Sequence, residues 1–248
     1  MTSRRALLAG LVAGLALPRI SLAFGRASKV DIAELDIPGT LSRPNAWTRM
    51  LYEVVHTTSV ECEPRSVRIA PDDPELFEHP FAALVGREAL DGPTTEGLGQ
   101  LARYLAYGGF LFIDETTGAE SSAFDEAVRD LCGILFPTRP LSPLPTDHSV
   151  YRSFFLLDRP VGRVARFPYL EGITVGNVCP VIYCRNDLSG ALERGDDGRH
   201  RYPVVPGGEW QRREAVKLGI NLILYALTAN YKKDQAHVRQ LMLDGRLE

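Results

Sequence analysis

Two neighbouring carboxylates, Asp114 and Glu115, end an unbroken apolar run from Phe110 to Ile113. Such a run reads as a strand buried on both faces. In open α/β sheets, ligands sit outside the carboxyl ends of strands. The pair is therefore placed for a ligand or metal contact, or for general acid–base work. The same side chains can instead hydrogen-bond neighbouring loop amides. A nucleophile elbow needs Cys or Ser on the sharp turn after the strand, as in G-x-S-x-G. This chain has Asp-Glu-Thr-Thr-Gly there, and no obvious base accompanies Thr116 or Thr117.

Asp147, His148, Tyr151 and Arg152 form a second cluster. His148 can serve as acid or base, and Arg152 can clamp an anion. Equally, Asp147 can cap a short helix with His148 in its first turn. Arg185, Asn186 and Asp187 end a third apolar run, Val181 to Cys184, and so can converge on Asp114. Turn formation is the plainer use of Asn-Asp. The candidate ligand-binding set is thus Asp114, Glu115, His148, Arg152, Asn186 and Asp187. No catalytic residue and no cofactor is assigned. Asn221, inside an apolar helix, is expected to bond a loop. His79 is expected to be structural, and Trp210 to anchor a helix start. Cys62, Cys132, Cys179 and Cys184 allow three disulfide pairings in an oxidising compartment, and Cys132 reads as a buried small hydrophobe. No CxxC occurs, so no metal ion is expected.

These residues need elements to position them. Val30 to Ile37 near-alternates and predicts a strand. A helix carrying Trp47, Leu51, Val54 and Val55 on one face follows, with Asn45 as its cap. Val60 to Ile69 reads as extended, Ala70 to Glu78 as a turn-rich loop, and Phe81 to Val85 as a strand. A helix capped by Thr95 and stopped by Gly108 and Gly109 leads into Phe110–Ile113. Strand, helix and strand make a βαβ unit with parallel strands. Ser121 to Phe136 predicts a helix ended by Pro137. The prolines of Pro137 to Leu144 predict an irregular surface loop, and Asp147 to Leu157 one or two helical turns. Val161 to Phe167 and Gly172 to Gly176 are weaker strand candidates, followed by Val181 to Cys184. Glu193 to Gly208 predicts a mobile loop. Glu209 to Tyr231 predicts the longest helix, packed through Val216, Ile220, Ile223, Leu224 and Leu227, with Leu218 and Leu222 widening that face. The alternation argues α/β with a mostly parallel sheet.

The 248 residues are 45% hydrophobic and 24% charged, an ordinary globular balance for one core. The first 23 residues differ. Ser3-Arg4-Arg5 precedes the apolar stretch Ala6–Leu17, and Ser21-Leu22-Ala23 offers a cleavage site. This is the layout of a secretory signal, here of twin-arginine type. The expected organisation is a signal at 1–23, one α/β domain at 24–231 and a charged tail at 232–248. Export places the domain in the periplasm, tethered to the membrane only if the signal stays uncleaved. Without residues 1–23, 25 basic residues face 31 acidic ones, a net charge of −6. No basic run of the density that nucleic acid needs is present, which excludes that partner class.

Several stretches together resemble a bacterial family, domain-of-unknown-function family 4159. They are APDDPELFEHPF (70–81), LARYLAYGGFLFIDETTG (101–118), FPTRPLSPLPTDHSVYRSFF (136–155), CRNDLSG (184–190) and EAVKLGINLILYALT (214–228), in the family's order. The resemblance covers roughly Lys29 to Tyr231. It implies a flavodoxin-like, class I glutamine amidotransferase-like three-layer fold with a mostly parallel central sheet. True amidotransferases carry a Cys on the elbow and a downstream His-x-Glu pair; this chain has neither. The expected function is an exported amidotransferase-like domain without the nucleophile, binding a small molecule or an envelope protein. The alternative is a hydrolase, with or without a metal, using Asp114, Glu115 and His148.

Overall fold

The computed structural model describes residues 29–243, with side chains through Ala229. The expected signal at 1–23 and the last five residues of the tail lie outside the described residues. Seven strands form one mixed sheet: β1 (Val30–Leu35), β2 (Cys62–Ile69), β3 (Phe81–Gly86), β4 (Phe110–Glu115), β5 (Ser142–Pro143), β6 (Glu171–Val175) and β7 (Val178–Cys184). Their order is β2-β1-β3-β4-β7-β6-β5. The first five in that order are parallel, and β6 and β5 add antiparallel at one edge. The α/β, mostly parallel expectation therefore holds.

Side chains alternate across each strand, so the sheet serves two cores. Ile32, Phe81, Phe110, Phe112 and Ile182 face one core, with α1 (Pro44–Thr57), α4 (Leu188–Leu192) and α5 (Gly208–Leu243). Ala33, Leu84, Leu111, Ile113 and Tyr183 face the other, with α2 (Thr95–Ala106) and α3 (Ala123–Leu135). All six residues of β4 are buried. Burying each large apolar side chain contributes about 1.5–3 kcal/mol, so β4 is the axis of both cores.

Local chemistry sets the helix ends. Thr94, one residue before the expected cap, accepts from the Gly97 amide at 3.0 Å and starts α2. Gly108, at φ 114°, lets the chain turn from α2 into β4. Ser122 caps α3 through the Asp125 amide at 3.0 Å. Asn45 does not cap α1. Pro44 opens that helix, and distant carboxylates receive its first amides: Glu34 from Arg43 at 2.6 Å and Glu193 from Ala46 at 3.0 Å. Gly86, the last residue of β3, leaves room for the Phe124 ring packed over it. A Cβ there would collide with Phe124 Cε2.

Four segments depart from expectation. Ser142 and Pro143 leave their irregular loop to pair with Gly172 and Glu171, an edge position that tolerates proline. Val161–Phe167 forms no strand; its amides bond the turn after β7 instead of a ladder. Glu193–Gly208 is pinned rather than loose. Arg194 and His200 form an antiparallel bridge, and Asn45 Nδ2 donates to the Arg194 carbonyl at 3.0 Å. On α5, Leu218, Ile220, Leu222 and Ile223 are buried as expected, joined by Ala215, Tyr225 and Ala226, while Val216, Leu224 and Leu227 are only partly buried. Trp210 is 55% exposed, so it anchors nothing at the start of α5. That helix also continues through most of the expected tail, to Leu243.

Candidate functional site

Asp114, Glu115, Asn186 and Asp187 do meet at the carboxyl end of the sheet, because β4 and β7 pair in register with Asp114 opposite Cys184. All four are at most 1% exposed. Each is engaged by backbone. Asp114 accepts from the Leu188 amide at 2.8 Å and the Ser189 amide at 2.7 Å, the first two amides of α4. Glu115 accepts from Thr117 and Gly118, both at 2.9 Å. Asn186 accepts from Arg166 at 3.1 Å and Phe167 at 2.9 Å, and donates to the carbonyls of Pro160 and Phe167. Every hydrogen-bonding position of that amide is used.

Asp187 sits at φ 53°, the only non-glycine residue with positive φ among the described residues. That conformation turns the chain sharply from β7 into α4 and aims the carboxylate at the Gly190 amide, 2.9 Å away. Arg163 hydrogen-bonds the same carboxylate, and Arg43 stands 3.7 Å from it. Burial raises the Asp187 pKa, and Arg43 and Arg163 oppose the rise. Asp114 is lifted to about 7, first by burial and then by the Asp187 charge, against the pull of its hydrogen bonds to Ser189 and Leu188. The carboxyl edge is thus a tight weave of helix amides, carboxylates and guanidinium groups. Its chemistry is to hold α4 and the 160–167 segment on the sheet.

The other two candidates lie elsewhere. His148, not Asp147, caps the short 3-10 turn Ser149–Arg152, accepting from the Val150 amide at 3.2 Å. Its ring lies 5.4 Å from that of Tyr225, which is 5.9 Å from Phe110, the first residue of β4. Asp114 is four residues further along that strand, roughly 13 Å at strand rise. The structure therefore does not bring His148 to Asp114. Burial lowers the His148 pKa, with Asp147 opposing. Arg152 lines a separate cavity of about 290 Å3 with Asp147, Asn177 and Tyr225.

Burial raises the thiol pKa of Cys62 to about 11 and of Cys132 and Cys179 to about 12. The Cys184 thiol lies well above its ordinary value, through burial and then the Asp114 charge. Reactive cysteines need the opposite shift. All four are free thiols. Among the described residues no group of three or more His, Cys, Asp or Glu is placed to share a metal ion. Asn221 bonds a loop as expected: its side chain joins Phe154, Phe155 and Val150 through four hydrogen bonds. His79 is buried against Asp31 at 2.6 Å. Sequence reasoning missed Glu34, Arg43, Arg163 and Glu193, which complete the weave. They come from four separate segments, and no spacing links them.

The family model described as "Domain of unknown function (DUF4159)" matches residues 32–227, and the chain belongs to that family. No match is found among curated proteins.

Proposed function

We propose that this member of the DUF4159 family is an exported, non-catalytic binding module that takes a small molecule or an envelope protein. One observation carries the reading: Asp114, Glu115, Arg185, Asn186 and Asp187, at the carboxyl ends of β4 and β7, are all buried and spent on backbone amides or carbonyls, or on a neighbouring ion pair. An acid, base or nucleophile must reach substrate, and these groups face inward. The parallel strand order β2-β1-β3-β4-β7, with helices on both faces, supports a flavodoxin-like sheet of the amidotransferase type. The residue types after β4 support the loss of amidotransferase chemistry, since no Cys stands at the turn. Arg4-Arg5 and the apolar Ala6–Leu17 support export. The hydrolase alternative loses its base, because His148 belongs to the other end of the sheet.

The test is a turnover screen of the purified mature protein. Glutamine is assayed by ammonia release, and chromogenic esters and phosphate esters by product colour. The reading expects no turnover above buffer. Turnover abolished in Glu115→Gln or Asp114→Asn, with the fold intact by circular dichroism, would overturn it.

A further inference from the structure

Beside the carboxyl edge, a cavity of about 350 Å3 opens between α1, the end of α4, the Arg194–His200 hairpin and the start of α5. That volume lies within the range of small-molecule sites, roughly 300–1,000 Å3. Its wall is cationic on a chain whose net charge is −3. Helix α1 supplies Arg49 and Glu53, the hairpin Arg194 and His200, and α5 Glu209, Arg212 and Arg213. Four guanidinium groups thus face two carboxylates.

Both carboxylates are already committed. Glu53 pairs with Arg49, and Glu209 pairs with Arg212 at 2.9 Å. Arg212 is 6% exposed and held rigidly, donating also to the carbonyls of Ala191 and Tyr202. Arg213 is exposed and has no hydrogen-bond or ion-pair partner among the described residues. Arg194 spends one terminal nitrogen on the Gly198 carbonyl at 2.7 Å. Its Nε is buried without a partner, and so is His200 Nδ1. Buried unpaired nitrogens cost stability and call for a reason. Donors are in surplus here, and guanidinium forks match planar or tetrahedral oxyanions.

We propose that this cavity binds a small organic oxyanion, a carboxylate or a phosphate, gripped by Arg213, Arg49 and His200 against the fixed charge of Arg212. The inference deepens the binding reading above by naming the ligand class. It also predicts proton linkage. Burial lowers the His200 pKa, as do Arg212, Arg194 and Arg49, while Glu209 opposes them. An anion among Arg49, Glu53, Arg194, Glu209, Arg212 and Arg213 offsets that positive field. His200 then takes up a proton, and binding tightens as pH falls.

The experiment is isothermal titration of the purified protein with inorganic phosphate and, separately, with citrate, at constant ionic strength, at about pH 6 and pH 8. The two arms separate a phosphate site from a carboxylate site. Saturable binding of at least one probe is expected. It should weaken about tenfold in Arg213→Gln, the loss of one charge-assisted hydrogen bond. Once the probe's own proton uptake between the two pH values is accounted for, binding should be tighter at the lower pH, and His200→Gln should remove that remaining dependence. Arg213 is exposed, so its variant is expected to fold, and circular dichroism checks this. Heats no different from added chloride, or equal affinity in wild type and Arg213→Gln, would overturn the proposal. Such a failure is distinct from failure of the non-catalytic reading, which only the turnover screen detects.

Discussion

Replacing Asp114 by Asn keeps the shape of the side chain and removes one acceptor. The native carboxylate receives two amides, Leu188 at 2.8 Å and Ser189 at 2.7 Å, with no solvent access. Asn offers one carbonyl oxygen, and its NH2 would face the second amide. Leaving that buried N–H unpaired costs about 1–3 kcal/mol. At roughly 2–4 °C per kcal/mol for a domain of this size, the melting temperature falls by several degrees. The cost also depends on pH. Asp114 titrates near 7 in the fold against an ordinary 3.8, raised by burial and then by Asp187. A raised carboxyl binds its proton more tightly folded than unfolded. Its contribution to stability is therefore fully present below about pH 4 and is lost as pH rises to about 7. Asn has no proton to lose. The wild type's lead over Asp114→Asn should shrink between about pH 4.5 and pH 8, and thermal melts of both proteins at those values measure it. An equal or higher melting temperature for Asp114→Asn at both values would refute the scaffold role. A lead that grows with pH would refute the sign of the shift.

Phe112, fully buried and edge-on to Trp47 at 6.2 Å, should cost ~3–5 kcal/mol as Phe112→Ala in chemical denaturation. Asn221→Leu strands the Phe154 and Phe155 amides and two carbonyls, and should lose at least about 2 kcal/mol by the same assay. Mass spectrometry of the cell-envelope fraction should find a mature start near Phe24; exclusive recovery from cytoplasm with Met1 intact would refute export.

Much of the sheet was legible because its strands are apolar throughout. Phe110–Ile113 and Phe81–Val85 need no partner to declare burial on both faces. The meeting of Asp114 with Asn186 and Asp187 was legible too, since both runs end on polar residues. What those residues do there was not. The amides that occupy Asp114 lie 74 and 75 residues away, on the five-residue helix Leu-Ser-Gly-Ala-Leu that follows Asp187. That helix depends on a left-handed Asp187, which Arg163 and Arg43 hold from distant segments. His148 was misplaced for a related reason. Its local sequence reads as a helix start, but the end of the sheet it joins is set by Tyr225, on α5. Val161–Phe167 has strand-like composition, yet the Asn186 side chain takes the amides of Arg166 and Phe167 that a ladder would use.

The central claim is that the carboxyl edge of this sheet is closed scaffold. Native-state hydrogen exchange at the amides of Leu188 and Ser189 tests it most directly, because both donate to Asp114 in the buried weave. The account predicts exchange as slow as that of the β4 amides, opening only with global unfolding, and marked acceleration in Asp114→Asn. Rapid exchange at both amides under native conditions, unchanged by that substitution, would mean an edge that opens and a carboxylate free to meet a substrate.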